Sequence, residues 1–267
     1  MKYALLENGQ RSEAIPRGRA SCRVCRTAVI AKCGSHRMHH WAHQGLKNCD
    51  PWKEHETQWH RDWKNKFPSE WQEHVQHDEF GEKHIADVRT GRGLVIEFQH
   101  SHLDPKERDA RERFHKNIVW VVDGTRLKND HPRFQRSAST FKPTNRQGHY
   151  LVPDPKKVFP SMWLDSPVPV FFDFLGTEAL DHPDAIRDPL WQLLPHRVDR
   201  DALVVAMPRQ FFVEAASRPA QPTPIPQATS GQVFPRVIGN VDALAVLLRL
   251  ASQQPGRGPY QRRFRRF

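Results

Sequence analysis

The chain has 267 residues and a formal net charge of +11. This length allows one large domain or two small ones with a real core, and the excess positive charge favours a polyanionic partner, most commonly nucleic acid. No apolar run approaches the roughly 20 residues that span a bilayer, and the first residues, MKYALLENGQRS, lack the apolar region of a signal peptide. The composition therefore predicts a soluble, cytoplasmic protein with no membrane partner.

Cysteine and histidine are concentrated at one end of the chain. All four cysteines lie in the first 50 residues, and 14 of the 16 histidines lie in residues 1–150. In a reducing compartment a C-x2-C pair favours metal over disulfide. We therefore expect the chemistry in the first half of the chain.

Cys22 and Cys25 form the knuckle that lets two thiolates bind one zinc ion. A small hairpin of residues 28–32 and 37–41 is predicted to follow, with His43 and Cys49 at its end. These four residues are the predicted zinc ligands. A site with four protein ligands leaves no open position for substrate, so the predicted role is structural.

Two alternatives remain for this segment. His40 could replace His43 as the third ligand, whereas Cys33 lies in the predicted turn and would point away from the site. The other reading is a set of unpaired thiols with incidental histidines.

A helix is predicted over residues 51–66, because Asp50-Pro51 has the form of an N-cap followed by proline at the first helical position. Trp52, Trp59 and Trp63 would form its apolar stripe. On another face, helical spacing groups three residues that also suit an ordinary solvated stripe: Glu56, His60 and Lys64.

Two extended runs joined by Thr90-Gly91-Arg92-Gly93 predict a β-hairpin of residues 85–88 and 94–99, after a first strand near residues 71–77. Alternation puts Leu94, Ile96 and Phe98 on one face of the second run, and Val95, Glu97 and Gln99 on the other. Asp87 can approach Glu97 across the hairpin. The pair is a plausible site for a hard cation.

A second helix is predicted from Asp104-Pro105, with Glu107 as a capping-box residue, to about Asn117. Residues 118–122, IVWVV, then read as a buried strand. Because this strand follows a helical crossover, it should lie parallel to a neighbour in the same sheet. The order helix, three strands, helix, strand predicts an α/β core.

The rest of the chain is less patterned. Residues 125–150 are expected to be a loop or lid, and the apolar pieces of residues 151–215 could extend the sheet or form a small subdomain. Residues 218–226 read as a polyproline-like linker, and Asn240 to Leu250 as a short amphipathic helix. Arginines among aromatic residues in the tail suit phosphate contact and base stacking: Arg262, Arg263, Arg265 and Arg266.

The predicted element order, with D-x9-E-x-Q on its central hairpin, resembles the PD-(D/E)XK nuclease fold. The run from Cys22 to Gly124 resembles more narrowly the CoiA-like competence protein family. The matching pieces are CRVC, HHWAH, the E-x-x-x-H from Glu56 to His60, HIADV, IEFQHS and IVWVVDG. The resemblance covers about the first half of the chain.

The resemblance implies a small zinc-ribbon-like module followed by a PD-(D/E)XK nuclease-like core (αβββαβ). It gives no information on the residues after about 150, which we expect to form an irregular C-terminal extension. The corresponding divisions are residues 1–50, 51–130 and 131–217, with a linker, helix and basic tail in 218–267. It also implies the handling of incoming DNA, with DNA-uptake or recombination proteins as further partners.

By the same resemblance, Asp87 and Glu97 would hold Mg2+ or Mn2+, with Glu56 as a further carboxylate. His60 would position the phosphate or shuttle a proton. Gln99 stands where that fold commonly has lysine, so Lys64, Lys83 or His84 would have to supply the positive charge. The residues expected to contact DNA in this region are Lys64, Lys83, Arg108 and Arg111.

The expected function is a metal-dependent DNA nuclease that processes incoming or foreign DNA. The alternative is a DNA-binding accessory protein for uptake or recombination with weak or no catalysis. A further alternative is a structural zinc protein whose partner is RNA or another protein.

Overall fold

The computed structural model describes residues 1–35, 38–45, 49–52, 55–177 and 184–218. Within these ranges the chain forms two β-sheets with helices packed against the larger one. Of the helices in this described part, none combines the length and the apolar character that crossing a membrane requires.

Five short strands form the N-terminal sheet. They are β1 (Tyr3–Leu5), β2 (Arg11–Glu13), β3 (Arg19–Ser21), β4 (Ala28–Lys32) and β5 (His40–His43). The sheet is antiparallel throughout, in the order β2-β1-β3-β4-β5. The predicted hairpin after the C-x2-C pair is therefore present, but its second strand starts at His40, and residues 38 and 39 are not part of it. Residues 36 and 37 lie outside the described ranges.

Nine strands form the second sheet. They are β6 (Gln72–His77), β7 (Lys83–Arg89), β8 (Val95–Gln99), β9 (Ile118–Asp123), β10 (Lys142–Pro143), β11 (His149–Val152), β12 (Val170–Asp173), β13 (Pro189–Val198) and β14 (Asp201–Pro208). Their order is β10-β11-β14-β13-β12-β9-β8-β7-β6. Only the β8–β9 and β9–β12 pairs are parallel among these neighbours.

Five α-helices accompany this sheet in the described residues: α1 (Gln58–Lys64), α2 (Pro105–His115), α3 (Asp130–Ala138), α4 (Ser161–Leu164) and α5 (Arg209–Ser217). Helix α2 begins where predicted, since the Asp104 side chain accepts from the Lys106 N–H at 2.8 Å. The carboxylate of Glu107 pairs instead with Arg111, four residues on. The chain thus runs α1, β6, β7, β8, α2, β9, with β9 parallel to β8, as the sequence predicts.

Two apolar clusters cover the two faces of the large sheet. Leu94, Ile96 and Phe98 of the β8 region pack in one of them with Trp59 and Trp63 of α1. This confirms the predicted apolar face of the hairpin. Val95 belongs to the other cluster, with Trp120 and residues from α3 and α4.

The prediction of a helix over residues 51–66 is wrong at its beginning. Residues 51–52 and 55–57 are not helical, and α1 begins after Thr57, whose hydroxyl accepts from the His60 N–H. The Asp50 carboxylate accepts from the Trp52 N–H at 3.1 Å, but no helix in the described residues begins there, and its other oxygen accepts from the backbone N–H of Ile85 at 2.8 Å. Trp52 consequently lies outside the helical stripe and stacks on His84, with ring centroids 3.2 Å apart.

The expectation of a loop or lid over residues 125–150 is also wrong. This segment contains α3 and β10 and the start of β11, and Phe134 of α3 is fully buried. The apolar pieces that follow extend the large sheet, because β12 pairs with β9 and β11 pairs with β14. The predicted linker, the helix from Asn240 and the arginine-rich tail lie outside the described residues.

Candidate metal centres and cleft

The four predicted zinc ligands come together at the edge of the N-terminal sheet. One ligand atom from each of Cys22, Cys25, His43 and Cys49 lies within 4.8 Å of the others. Cys22 Sγ lies 3.6 Å from Cys49 Sγ, and Cys25 Sγ lies 3.3 Å from His43 Nε2. Three thiols and one imidazole are a donor set that zinc favours. His40 is not part of this group; its Nδ1 contacts the carbonyl of Met38.

The thiols of this group differ in their affinity for protons. Burial raises the pKa of Cys25, but hydrogen bonds with Thr27 and His43 outweigh this effect and lower the pKa to about 6. Burial and the neighbouring Cys22 raise the pKa of Cys49 to about 12. A bound cation would favour the thiolate form of all three cysteines. The cluster is therefore chemically suited to the closed, structural type of metal site.

Asp50, next to the ligand Cys49, connects this cluster to the large sheet. Its carboxylate is 2% exposed and contacts His84 Nδ1 at 2.9 Å as well as the Ile85 N–H. Both residues belong to β7, where His84 lies three positions and Ile85 two positions before Asp87. The strand that carries Asp87 is therefore also the strand that contacts Asp50 beside the cysteine cluster.

Asp87 and Glu97 meet across the hairpin of β7 and β8, as the sequence predicts. The regular ladder pairs Val88 with Ile96 and Arg89 with Val95. Beyond it, the Asp87 N–H donates to Glu97 Oε1 and the Phe98 N–H donates to Asp87 Oδ2, both at 3.1 Å. The two carboxylates therefore lie between the strands.

A cleft opens over these carboxylates, and the empty space in it and at its mouth, open solvent included, is about 510 Å³. Helix α1 and the segment before it contribute Glu56, His60 and Lys64, and α2 contributes Arg111. With Asp87 and Glu97, the structure brings together six of the residues selected from the sequence. The carboxylates that line the cleft are Asp50, Glu56, Glu73, Asp87 and Glu97, and the permanent cations are Lys64 and Arg111. This excess of carboxylate oxygens is the donor chemistry that Mg2+ and Mn2+ prefer.

Burial dominates the protonation of Glu97. It raises the pKa of this carboxyl to about 8, and the neighbouring Asp87 adds to the rise. Arg111 opposes it, with Nη1 3.3 Å from Glu97 Oε2. A divalent cation between Asp87 and Glu97 would favour the ionised pair, so the donor set fits such an ion.

Lys64 is the ammonium group at the centre of the cleft. Its Nζ lies 2.5 Å from Glu56 Oε1, 3.5 Å from Glu73 Oε1 and 3.8 Å from Asp87 Oδ1. Burial lowers the pKa of Lys64, but these carboxylates outweigh this effect and raise the pKa above its ordinary value. Glu56 reaches Lys64 from the segment before α1, so the contact does not require the predicted longer helix.

His60 caps its own helix. Its Nδ1 accepts from the backbone N–H of Thr57 at 3.2 Å, while the Thr57 hydroxyl accepts from the His60 N–H. A neutral imidazole with an accepting Nδ1 carries its proton on Nε2. The cap therefore makes Nε2 of His60 a hydrogen-bond donor.

Other residues selected from the sequence lie differently. Gln99 is buried and donates to the carbonyl of Ser101 at 3.2 Å; it does not line the cleft. Lys83 is exposed at the start of β7. Arg108 is 6% exposed and binds Asp109 and the Met162 carbonyl, so its guanidinium is committed to internal contacts. The four arginines of the tail lie outside the described residues.

Sequence reasoning missed Glu73, which lines the cleft from β6. Its carboxylate accepts from the backbone N–H groups of Lys2 and Tyr3, at 2.7 and 3.0 Å. Its backbone has a φ of 44°, which is rare for a residue with a side chain. No local pattern signals this residue, because its partners are about 70 positions away.

A second missed pair lies beside α1. His100 Nδ1 contacts Asp123 Oδ2 at 2.8 Å, and the His100 ring lies 5.9 Å from that of His60. Asp123 ends β9 and is buried, so it can fix the orientation of the imidazole. Its position after a predicted buried strand was the available signal.

The candidate zinc cluster lies in a segment that matches a known protein family. Residues 10–51 match the family model for the competence protein CoiA, N-terminal domain. This range contains all four candidate zinc ligands and ends just beyond Asp50, and it supports a CoiA-like family. No curated protein and no solved structure matches the chain. The CoiA-like domain match stops before α1 and the large sheet.

Proposed function

We propose that this protein is a metal-dependent DNA nuclease that hydrolyses phosphodiester bonds, with Mg2+ or Mn2+ held by Asp87 and Glu97. The observation that carries the proposal is the convergence of these two strand carboxylates with Glu56, His60 and Lys64 in one cleft. Carboxylates alone are common on protein surfaces. Here Glu97 is 4% exposed and lies beside Asp87, and the pairing of Glu97 with Arg111 does not offset the free-energy cost of burying its charge there; a divalent cation shared by the two carboxylates would lower that cost.

The order of elements supports a PD-(D/E)XK nuclease-like core. The candidate ligands lie on the second and third strands of the run α1, β6, β7, β8, α2, β9. The strand after α2 runs parallel to β8 and supports it from the side opposite β7. Asp87 and Glu97 therefore lie on strands in the interior of the sheet.

Each group in the cleft has a distinct role in the proposal. A divalent cation would neutralise charge on the scissile phosphate and lower the pKa of a water molecule. Lys64 supplies positive charge next to Asp87, which that fold commonly obtains from the position occupied here by Gln99. His60 donates from Nε2 to a phosphate oxygen or to water, and Glu56 holds Lys64 in place.

The CoiA-like N-terminal domain supports a role related to competence, in the processing of incoming or foreign DNA in the cytoplasm. Zinc at the cysteine cluster is structural in this proposal. The proposed partner of the protein is DNA, and the net charge of +11 favours binding to such a polyanion. DNA-uptake or recombination proteins are proposed as further partners.

The direct test is cleavage of labelled single- and double-stranded DNA by the purified protein with Mg2+, Mn2+ or EDTA. We expect cutting that requires the metal and disappears in Glu97→Gln. The lengths of the products distinguish an endonuclease from an exonuclease. Intact DNA under every metal condition would overturn the proposal.

A DNA-binding accessory protein is the second candidate. It is favoured by Gln99, which brings no charge and turns to Ser101, and by the pairing of Lys64 with carboxylates. This candidate requires DNA affinity that survives EDTA and changes little in Asp87→Ala. Removal of a carboxylate that repels phosphate would even strengthen binding.

A further inference from the structure

Helix α1 supplies His60 and Lys64 to the cleft, yet it is only seven residues long. Helices shorter than about 12 residues are marginal on their own in water. The rotation and height of α1 over the sheet must therefore be set by contacts outside the helix.

One buried carboxylate accepts hydrogen bonds from both tryptophans of α1. Trp59 Nε1 and Trp63 Nε1 donate to the same oxygen, Oδ2 of Asp173, at 3.0 and 2.8 Å. The other oxygen, Oδ1, accepts from Arg209 Nε at 3.1 Å and from the Leu175 N–H at 3.0 Å. Asp173 is 2% exposed. Arg209 Nη2 donates a fifth hydrogen bond, also to Oδ1. All five would have to be rearranged for this carboxylate to move.

Each of these tryptophans immediately precedes a residue of the cleft. Trp59 is followed by His60, and Trp63 by Lys64. Neighbouring side chains on a helix are about 100° apart, so any rotation that carries the indoles away also carries the cleft residues. An indole N–H that is buried without a partner costs free energy, which penalises such rotation.

Glu97 lies on β8 and Asp173 on β12, and both strands pair in parallel with β9, which lies between them. Glu97 on β8 and Val170 on β12 are both aligned with Trp120 on β9. Asp173 ends β12, three residues beyond Val170. The sheet therefore gives Asp173 a fixed position relative to the candidate metal ligands.

We propose that Asp173 is a positioning residue: by accepting both indole N–H groups of α1, it places His60 and Lys64 over Asp87 and Glu97. The inference rests on the proposed nuclease function and extends it. It assigns a role to the C-terminal half of the described chain, because β12 and α5 supply Asp173 and Arg209. A carboxylate that merely stabilised the fold would affect the cleft only through the folded fraction.

The test compares two tryptophan variants in the full-length, zinc-loaded protein. Trp63→Phe removes one N–H from Asp173 and keeps an aromatic ring. Trp191→Phe is the matched control, because Trp191 is also buried and donates at 2.8 Å, but to the Ile186 carbonyl in the other apolar cluster. Asp173→Asn is the second variant on the positioning side.

We expect kcat for DNA cleavage with Mn2+ to fall about tenfold to a hundredfold in Trp63→Phe and Asp173→Asn, with KM little changed. Trp191→Phe should lose comparable thermal stability and keep kcat within about threefold of wild type. Equal kcat in Trp63→Phe and Trp191→Phe at matched folded fraction would overturn the inference.

A second readout separates this inference from the nuclease proposal. The 15N shifts of the His60 ring report the Thr57 cap in the absence of DNA. We expect them to change in Trp63→Phe and Asp173→Asn, and to stay constant in Trp191→Phe. If wild-type protein leaves DNA intact, the nuclease proposal fails. Independently of that result, unchanged His60 shifts in Trp63→Phe would overturn the inference that Asp173 positions α1.

Discussion

The backbone N–H of Asp87 donates to the side chain of Glu97 at 3.1 Å, in place of a ladder hydrogen bond between β7 and β8. The Asp87 side chain returns the contact by accepting from the Phe98 N–H. Each carboxylate thus has one oxygen fixed by the neighbouring strand. The pair is pre-oriented by the sheet and does not depend on a loop.

The carboxylate pair gives the first prediction. Asp87→Asn and Glu97→Gln should each lower the rate of metal-dependent DNA cleavage by about a hundredfold or more, because a neutral amide holds a divalent cation poorly. Steady-state cleavage of labelled DNA measures this loss. Asp62→Asn on the exposed side of α1 is the matched control and should retain activity. Full activity in Glu97→Gln would contradict the assignment of this carboxylate.

Zinc removal gives a prediction about the N-terminal cluster. The purified protein should contain about one zinc per chain, and Cys49→Ser should lose it with a lower unfolding temperature. Cys33→Ser is the matched control, because Cys33 is not among the grouped ligands. Elemental analysis and thermal unfolding provide the two measurements. Zinc retained in Cys49→Ser would show that another residue completes the site.

Lys64 gives a prediction about stability. It is 3% exposed among Glu56, Glu73 and Asp87, so Lys64→Met removes a cation that these three carboxylates share, although Glu56 keeps its ion pair with Arg61 at 2.9 Å. We expect the free energy of unfolding to fall by about 3–5 kcal/mol. Mn2+ should restore more of the unfolding temperature in this variant than in wild type, since the ion replaces the missing charge. A variant as stable as wild type without Mn2+ would contradict the central role of this ion pair.

His84 gives a prediction about pH. Both of its ring nitrogens contact carboxylates, Asp50 and Glu82, each at 2.9 Å. Although burial lowers it, these contacts raise the pKa of His84 above its ordinary value. The stability from the charged ring is therefore full below about pH 6.5, the ordinary histidine pKa, and is lost as the pH rises through the folded-state value.

Urea unfolding of wild type and His84→Gln tests this pH dependence. The difference in unfolding free energy between the two proteins should shrink as the pH rises from about 6 to about 9. His77→Gln, at the exposed end of β6, is the control and should leave the wild-type profile unchanged. A difference that is constant over this range would show that folding does not raise the pKa of His84.

The sequence predicted the local features of the site well. The candidate zinc ligands and the carboxylate hairpin depend on short spacings, such as C-x2-C and the turn that starts at Thr90, and the structure brings the members of each set together. The order from α1 to β9 was also predictable, because each element has its own periodicity or cap. The start of α1 was not, since Asp50 is used by β7 and Thr57 takes over the capping role.

The second half of the chain was harder to predict because its strands are held by distant partners. Strand β13 contains Pro195, which interrupts its pattern, and the pairing with β14 shifts register between Leu193 and Arg197. Helix α3 depends on burial of Phe134 against aromatic residues such as Trp191. Glu73 and Asp173 receive donors about 70 to 114 positions away, which no local pattern reveals.

The most direct test of the account is the binding of Mn2+ to zinc-loaded protein, followed by electron paramagnetic resonance, in wild type, Glu97→Gln and Asp87→Asn. We predict about one Mn2+ per chain in wild type, with affinity at least tenfold weaker in both variants. Asp62→Asn should bind as wild type does. Equal Mn2+ binding in wild type and Glu97→Gln, or no binding to any of them, would contradict a metal-dependent reaction in this cleft.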